Sequence, residues 1–449
     1  MSGNNINTKI NFGSETFKRY FANTSWMFVE KIFRILVAFL VGIVLARYLG
    51  PDEYGLFNYA ISFAGLFTSF ANLGMDSIVV RELVKSPNRK DEILGTVFRL
   101  RIIGSLVTIT LATLTAYLIN EPSYNLTLIV IIASSTIFQS SGVIEQFFQS
   151  RVEAKYNVYA QSFSFFISAA LKILLVLLNK PLIFLALAHA IEYVFLFIGY
   201  LYVYKNTKSS LKTWRYDRKT AIEFLKDSWP LLLSGVVISI YMKIDQVMIK
   251  SFLTYKDLGY YAVAVKLCEA WYFVPVVIST SVFPAIVNAK NSSQQLYFSR
   301  IQKLYDFLAL ISIGIAIPVT IFSNLIIEIL FGNSYQPASS VLTIYIWAGV
   351  ATFLGVASNQ YLITENLTKL SFYRTLLGMI INVLMNLFLI PAYGINGAAF
   401  ATLISYSVTV FSIYFDKRAR EQFYMMFKSI MLVNILKLIK SKIELRKTK

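Results

Sequence analysis

Long apolar stretches recur along this chain and are separated by short polar segments. A bilayer core about 30 Å thick is crossed by roughly 20 apolar residues in a helix. Twelve stretches reach that length, with boundaries placed to within about two to four residues, at 24–48, 55–80, 95–119, 125–149, 158–179, 181–204, 229–253, 258–288, 305–331, 338–362, 373–392 and 394–415. The pattern predicts an all-α polytopic membrane protein with about twelve transmembrane helices.

The loop after the first span has a second copy 204 residues further along the chain. The first copy runs from Tyr48 to Ala60 and the second from Phe252 to Ala264, with Gly55 aligned on Gly259. Six spans, an even number, separate the copies, so both halves begin on the same side of the membrane. The repeat therefore predicts two parallel six-helix lobes, related by an axis along the membrane normal, with a central cleft between them.

This repeat divides the chain into five parts, and the last part has a mixed character. The tail is apolar, but lysines interrupt it before it reaches the length of a span, which favours an amphipathic helix on the membrane surface. The predicted parts are a cytoplasmic N-terminal segment (1–20), an N-lobe with six spans (21–204), a basic cytoplasmic connector (205–228), a C-lobe with six spans (229–416) and a basic amphipathic tail (417–449).

The formal net charge of +18 is distributed unequally among the loops. Loops after odd-numbered spans contain only Lys180 and Lys256, whereas loops after even-numbered spans contain many basic residues, Arg374 among them. By the positive-inside rule, both termini and the even loops are cytoplasmic. Because the charge is spread over many short loops, it indicates topology and argues against nucleic-acid binding.

The polar residue inventory argues against an enzyme. With one histidine and one cysteine, neither a catalytic triad nor a cluster of metal ligands can be assembled in an obvious way. The connections between spans are also too short to contain a catalytic domain. We therefore expect no cofactor and no metal, apart from an ion that the protein transports.

Nine basic residues nevertheless fall within the spans or at their edges. Each costs about 2.5–3.5 kcal/mol at a helix centre, so such residues normally face a water-filled cavity or a partner. Their guanidinium and ammonium groups suit the oxygens of an anionic diphosphate. We interpret them as a pathway for a diphosphate and its sugars: Lys31, Arg34, Arg47, Arg99, Arg101, Lys172, Lys243, Lys250 and Lys266.

Acidic residues in the same spans are candidates for coupling transport to H⁺ or Na⁺, since a deep carboxylate can hold either ion. The candidates are Asp245, Asp76, Glu30, Glu145 and Glu269. The sole histidine, His189, precedes Glu192 by three residues, and either a proton relay or a hydrogen bond in the core fits this spacing.

Local alternatives exist for several of these charges. Glu30 with Arg34, and Lys266 with Glu269, have the spacing of neutral pairs on one helix. Long basic side chains near the ends of spans can instead extend to the membrane surface, which applies to Arg47, Lys250, Arg99 and Arg101. The strongest pathway candidates lack a partner on their own helix, and they are Lys31, Lys172, Lys243 and Asp245.

Several motifs resemble one family of transporters. They are Leu45–Ala60, Leu73–Asp76, Val80–Leu83, Ile244–Ile249, Gly259–Leu267 and Ile390–Ala399. Over residues 20–415 the chain resembles the Wzx-type oligosaccharide-lipid flippases of O-antigen and capsule assembly. These belong to the polysaccharide branch of the multidrug/oligosaccharidyl-lipid/polysaccharide (MOP) exporter superfamily. Of the candidate site residues, Asp245 and Asp76 match positions of the family pattern.

The resemblance implies twelve helices in two lobes around a cationic cavity, as in MATE transporters of this superfamily. It implies movement of undecaprenyl-diphosphate-linked oligosaccharide repeat units from the inner to the outer leaflet of the bacterial cytoplasmic membrane. Transport would proceed by alternating access, coupled to H⁺ or Na⁺, during biosynthesis of O-antigen, capsule or exopolysaccharide. Membrane lipids, a polysaccharide polymerase and other assembly proteins are the implied partners.

Three other functions are considered. Flippases for the peptidoglycan precursor lipid II commonly have fourteen spans, and exporters of cationic drugs favour an acidic cavity. A membrane polymerase or ligase of the same pathway would have a large outer loop with catalytic residues. Here the outer loops are short, and basic residues in the spans outnumber acidic ones.

Overall fold

A computed structural model describes the backbone of residues 15–207 and 209–433, and the side chains from Glu30 onward. The described residues form helices and no strands. The α-helices are α1 (Glu15–Asn72), α2 (Asp76–Lys85), α3 (Lys90–Leu118), α4 (Ser123–Ser134), α5 (Thr136–Gln139), α6 (Gly142–Ser150), α7 (Ala154–Leu177), α8 (Leu182–Asn206), α9 (Arg218–Phe252), α10 (Tyr255–Glu269), α11 (Phe273–Ser292), α12 (Gln294–Ile321), α13 (Ser323–Phe331), α14 (Ala338–Tyr345), α15 (Ala348–Thr364), α16 (Thr368–Phe411) and α17 (Arg420–Ile430).

Ten helical segments of the described chain are long and apolar enough to cross a membrane. Two of them, Glu30–Lys85 and Thr368–Phe415, each cover two predicted spans. At 1.5 Å per residue, the first would be about 84 Å long, far more than one bilayer core. The backbone leaves helical geometry at Gly50 (φ 67°) and Gly394 (φ 59°), in a region that glycine adopts at little cost. The predicted all-α polytopic architecture is confirmed, and these two kinks account for twelve crossings.

The lobes share one apolar core at one end of the molecule and have separate cores at the other. The largest cluster joins residues of both lobes, such as Tyr59 and Tyr261. A second cluster lies within the C-lobe around Tyr305. A third packs N-lobe residues such as Tyr200 with the start of α9. We call the end with the shared core the closed end and the opposite end, where the connector lies, the basic end.

Helix α17 packs against α12 at the basic end of the C-lobe. Its contact face includes buried polar residues: the Tyr305 hydroxyl donates to Gln422 Oε1 over 2.5 Å, and the Ser429 hydroxyl donates to Asp306 Oδ1 over 2.7 Å. This part of the predicted tail is therefore bound to the C-lobe. The rest of the predicted amphipathic tail, from residue 434, lies outside the described residues, as do residues 1–14.

Candidate functional site

The two copies of the repeated loop pack against each other at the closed end. A Cβ added to Gly55 would overlap the carbonyl oxygen of Tyr255, and a Cβ added to Gly259 would overlap the backbone of Pro51. Position 55 plus 204 is 259, and position 255 minus 204 is 51, so the repeat converts one pair into the other. The same backbone contact therefore occurs twice, once on each side of an approximate two-fold axis.

A second pair of contacts between the lobes follows the same rule. The Ser62 hydroxyl donates to Gln246 Oε1 over 2.8 Å. The counterparts of Ser62 and Gln246 are Lys266 and Gly42, and the end of the Lys266 side chain lies against Gly42. The predicted repeat thus corresponds to paired contacts that follow the seam between the lobes into the membrane.

Two lysines of the C-lobe lie on this seam. Lys243 extends over Gly65, and Lys266 lies against Gly42, so each reaches a helix of the N-lobe. Neither ammonium group forms a hydrogen bond or a close ion pair with another described residue. Glu269 interacts electrostatically with both lysines. Glu269 also interacts electrostatically with Asp245, but neither carboxylate forms a close ion pair with the two ammonium groups.

Lys31 and Arg34 are cations near the start of the described side chains on α1, and they differ in their surroundings. Lys31 is exposed. Arg34 donates to Gln161 Oε1 over 3.0 Å and lies 3.7 Å from a Glu30 oxygen. Glu30 also accepts a 2.8 Å hydrogen bond from Ser162. Glu30 and Arg34 thus form the pair on one helix that their spacing allowed, and both also form hydrogen bonds with residues of α7.

Lys172 has a partner on the following helix. Its ammonium lies 2.7 Å from a carboxylate oxygen of Glu192, which also accepts a hydrogen bond from Ser168 over 2.8 Å. His189 lies one turn away on α8, with its ring edge-on to Phe57. Sequence spacing alone could not reveal this partner, because the pair joins α7 to α8 across 20 positions.

Arg101 and Asp76 lie together in the N-lobe at the basic end. The Arg101 side chain is buried and donates to Asp76 Oδ1 over 2.6 Å, and Gln146 donates to the same oxygen over 2.8 Å. Glu145 accepts a 3.1 Å hydrogen bond from Tyr200. This cluster is internal to the N-lobe, so these three charged residues do not join the lysines of the seam.

Arg99 is exposed beside an apolar cavity of about 370 Å³ that α3, α6 and α8 line. Its guanidinium lies 5.5 Å from the centre of the Tyr216 ring, on the connector. The distance is typical of a cation–π contact. Arg99 therefore also lies apart from the seam lysines.

Glu121 joins the lobes at the closed end. It lies in the short loop between α3 and α4, and its side chain is fully buried. It accepts hydrogen bonds from Lys250 over 2.7 Å and Tyr255 over 3.2 Å, both in the C-lobe. It also accepts bonds from Tyr59 over 2.8 Å and Asn125 over 2.9 Å in its own lobe. The sequence marked Lys250 but gave no indication of its partner, which lies 129 positions away.

Arg47 makes a further connection between the lobes at this end. Its guanidinium donates to the carbonyl of Leu330 over 2.8 Å and to the carbonyl of Ile329. Nearby, the Tyr335 hydroxyl donates to the carbonyl of Ala46 over 2.7 Å. Arg47 and Lys250 thus hold the lobes together in this conformation.

The contacts of Glu121 predict that the closed end responds to pH. Burial alone would raise the pKa of the Glu121 carboxyl, but hydrogen bonds from Lys250, Asn125 and Tyr59 together hold this pKa below its ordinary value. Hydrogen bonds that lower a carboxyl pKa stabilise the contact fully at pH values above the ordinary pKa of about 4.3. This stabilisation is lost as the pH falls through the lowered pKa. We expect the closed end to be tight at neutral pH and to loosen in acid.

Glu121→Gln is expected to loosen the closed end at neutral pH and to remove its pH response. A charge-assisted hydrogen bond contributes about 1.5–3 kcal/mol, so the ratio of closed to open molecules should fall by roughly tenfold or more. Spin labels at the exposed positions Asp52 and Lys256, in a chain with Cys268 replaced, would report the distance between the lobes. Glu53→Gln, which removes an exposed acid at the same end, is the matched control. An unchanged distance distribution in Glu121→Gln would exclude this role.

Asp245 lies at the centre of a polar cluster inside the C-lobe. The buried carboxylate accepts hydrogen bonds from Thr402 over 2.6 Å, from Asn386 over 2.7 Å and from Tyr261 over 2.9 Å. Asn386 also donates to Asn382 over 3.2 Å. The buried Oδ1 of Asn386 has no hydrogen-bond donor among the described residues. A carboxylate beside amide and hydroxyl oxygens is a donor set suited to a hard cation, and the carboxylate alone could hold a proton.

Sequence reasoning identified Asp245 but missed its neighbours. Asn382 and Asn386 lie four residues apart within an apolar span, so they share one helix face. Thr402 lies on the following span. Two asparagines on one face of a transmembrane helix are a signal that could have located this cluster, because buried amides require partners.

Comparison with known proteins reveals both a family and a fold. A family model described as polysaccharide biosynthesis protein matches residues 20–290. The capsular polysaccharide biosynthesis protein CapF of Staphylococcus aureus is 21% identical over 402 residues, which cover 88% of this chain and 98% of that protein. The lipid II flippase MurJ, in an inward closed conformation, superposes with a TM-score of 0.71 at 17% identity and covers 92% of both chains.

A second solved structure supports the same architecture. A multidrug resistance MATE family transporter of the MOP superfamily, in an inward-facing conformation, has a TM-score of 0.67 at 13% identity. The match covers 89% of this chain and 96% of that one. At these identities the two solved structures define the fold alone.

Proposed function

This chain belongs to the polysaccharide biosynthesis protein family; on that premise, we propose that it is a flippase of the MOP superfamily that moves undecaprenyl-diphosphate-linked oligosaccharides across a bacterial cytoplasmic membrane. The lipid-linked unit enters from the cytoplasmic leaflet and leaves in the outer leaflet for assembly into O-antigen, capsule or another polysaccharide. A polymerase and other assembly proteins would receive it there.

The unpaired lysines on the seam are the observation that carries this proposal. Lys243 and Lys266 place two ammonium groups between the lobes, and among the described residues neither has a close carboxylate partner, although Glu269 interacts with both electrostatically. Half-buried cations without a close partner favour an anionic ligand. A diphosphate supplies several oxygens for charge-assisted hydrogen bonds, whereas the isoprenoid chain can remain in the lipid.

The conformation fits one step of alternating access. If the basic end is cytoplasmic, as the charge distribution predicts, the shared core and the Glu121 contacts close the outer side. The separate lobe cores then lie on the side from which a lipid-linked sugar enters. Opening the outer side requires Glu121 to separate from Lys250 and the two loop copies to part.

The Asp245 cluster is the proposed site of ion coupling. It lies within one lobe, on helices α9, α10 and α16, so an ion bound there can alter how those helices pack. Binding of H⁺ or Na⁺ would neutralise the buried carboxylate and shift the balance between the two conformations. The ion contributes to transport only through its different affinity for these conformations.

A positive seam does not favour the function of a drug exporter. Cationic drugs would be repelled by Lys243 and Lys266, since like charges in a low dielectric disfavour each other. A lipid II flippase would use the same diphosphate chemistry, so it remains the second candidate. The match to the polysaccharide biosynthesis family favours an oligosaccharide of the polysaccharide pathway.

Lys243→Gln and Lys266→Gln are each expected to slow translocation by roughly tenfold or more. The estimate follows from about 1.5–3 kcal/mol for a hydrogen bond to a charged group. Translocation of undecaprenyl-diphosphate-linked oligosaccharide would be measured in proteoliposomes, with lipid II as a second substrate. Lys256→Gln, at an exposed position in the first turn of α10, is the matched control. Wild-type rates in both seam variants would refute the diphosphate pathway, and faster transport of lipid II would reassign the substrate.

A further inference from the structure

Arg374 is a buried arginine that lacks a carboxylate partner among the described residues. It lies in the first half of α16, with 5% of its surface exposed. Its guanidinium donates to Ser358 Oγ over 2.9 Å, to Asn359 Oδ1 over 2.5 Å and to the Gly355 carbonyl over 3.4 Å. All three acceptors are neutral and belong to α15. The sequence had suggested a cytoplasmic loop position for Arg374, and the structure corrects this.

Arg101 provides a comparison within the same chain. It is also buried, with 1% of its surface exposed, and it forms a 2.6 Å ion pair with Asp76. Buried charges in proteins are normally paired, because an isolated one loses its hydration without compensation. The lone positive charge of Arg374 is therefore unusual and indicates that its counterion comes from outside the described chain.

A cavity of about 330 Å³ lies next to Arg374. Helices of the C-lobe alone line it, so it is separate from the seam between the lobes. Its polar lining comes from Ser234 on α9, Asn359 on α15, and Thr368, Ser371 and Thr375 on α16. Three of the four hydroxyls donate within the protein, whereas that of Thr368 forms no hydrogen bond with a described residue. This volume accommodates a phosphate group with surrounding water.

Asn359 connects the cavity to the buried charge. Its Oδ1 accepts hydrogen bonds from Arg374 over 2.5 Å and from Ser371 over 3.0 Å. Its Nδ2 forms no hydrogen bond with any described residue, and the residue is exposed. Because Oδ1 is held on the protein side, the amide N–H groups are available to an acceptor in the cavity.

An acidic side chain in the turn between α15 and α16 has other partners. Glu365 forms a 3.0 Å ion pair with Lys290 and accepts a 2.8 Å hydrogen bond from Tyr297. It therefore does not neutralise Arg374. The cavity lies at the basic end, close to the turn between α15 and α16, where lipid headgroups would be within reach.

We infer that this cavity binds a phosphate group, held by the Asn359 amide and the Thr368 hydroxyl, with Arg374 supplying the compensating charge. The ligand is either a free phosphate or the headgroup of an anionic lipid. The site is independent of the proposed translocation, because it lies inside one lobe and can be tested without a gradient or a lipid-linked sugar.

The test compares wild type with Asn359→Asp, which places a carboxylate beside the guanidinium without changing the size of the side chain. The full chain in phosphatidylcholine nanodiscs would be titrated with inorganic phosphate, with calorimetry and the thermal unfolding midpoint as readouts. Wild type should bind saturably and gain thermal stability. Asn359→Asp should unfold at the same or a higher temperature without phosphate, and its affinity should fall at least about tenfold.

Two further variants separate anion binding from a structural role. Arg374→Gln should also lose phosphate affinity while its phosphate-free unfolding midpoint is maintained. Arg418→Gln removes an exposed arginine paired with Asp416, and it should leave binding unchanged. The inference is overturned if wild type binds no phosphate in either membrane, or if Asn359→Asp and Arg374→Gln bind it as tightly as wild type.

A second membrane identifies the source of the phosphate group. Nanodiscs that contain phosphatidic acid should weaken the apparent binding of inorganic phosphate to wild type if the lipid headgroup occupies the cavity. Equal binding in both membranes would assign the site to free phosphate. Either result supports the phosphate site, provided that Asn359→Asp weakens the binding at least about tenfold.

Discussion

Gly55→Ala is expected to prevent the two lobes from meeting at the closed end and to reduce translocation by about tenfold or more. The added methyl group overlaps the backbone carbonyl of Tyr255, which cannot rotate away as a flexible side chain would. Overpacking of this kind typically costs about 1–3 kcal/mol, a factor of roughly 5 to 150 in an equilibrium constant. Gly259→Ala should have the same effect, because its methyl group overlaps Pro51.

The distance between labelled positions Asp52 and Lys256 would report this effect directly, alongside translocation in proteoliposomes. Gly314→Ala is the matched control, since an added Cβ there meets no atom within 4 Å. We expect Gly55→Ala and Gly259→Ala to hold the lobes further apart at this end, whereas Gly314→Ala behaves as wild type. Unchanged distances and rates in Gly55→Ala would show that this end does not need such a close approach.

Asp245→Asn is expected to abolish the response of translocation to an ion gradient. The substitution keeps the size of the side chain but removes the charge on which Thr402, Asn386 and Tyr261 converge. A coupling free energy of about 1–3 kcal/mol corresponds to a roughly 5- to 150-fold effect of the ion. Proteoliposomes with an imposed pH or Na⁺ gradient would be compared with ones without a gradient.

Thr402→Val then distinguishes the two ions. If the site holds Na⁺, loss of the hydroxyl removes a ligand and weakens the dependence on Na⁺. If it holds a proton, the dependence on pH persists because the carboxylate remains. Asp52→Asn, an exposed acid at the closed end, is the matched control. Gradient-driven transport at the wild-type rate in Asp245→Asn would exclude this site from coupling.

The sequence was most informative where periodicity and repetition determine structure. Apolar stretches long enough for a bilayer predicted the crossings, and the spacing of 204 predicted which loops are equivalent. The aligned glycines proved to be contact points, because only glycine permits such a close backbone approach. The apolar stretches can be recognised within a short segment, and the repeat can be recognised because one segment resembles another.

Partners from distant segments could not be predicted in the same way. Glu121 with Lys250, and Lys172 with Glu192, depend on how helices pack, which no spacing within one helix reveals. Arg374 appeared to be a loop residue because it lies near the end of a span, yet the helix extends beyond the apolar segment. Its unpaired charge was visible only once its neighbours on α15 were known.

The paired contacts on the seam also indicate how the two sides of the cleft came to differ in charge. Two identical half-size subunits would meet in a two-fold dimer in which every contact occurs twice with the same residues. Joining the two copies in one chain frees each position to change alone. One contact is now a neutral hydrogen bond between Ser62 and Gln246, and its counterpart has the ammonium of Lys266 against Gly42. Fusion of the halves thus permits the two flanks of the cleft to differ in charge, which a symmetric dimer could not achieve.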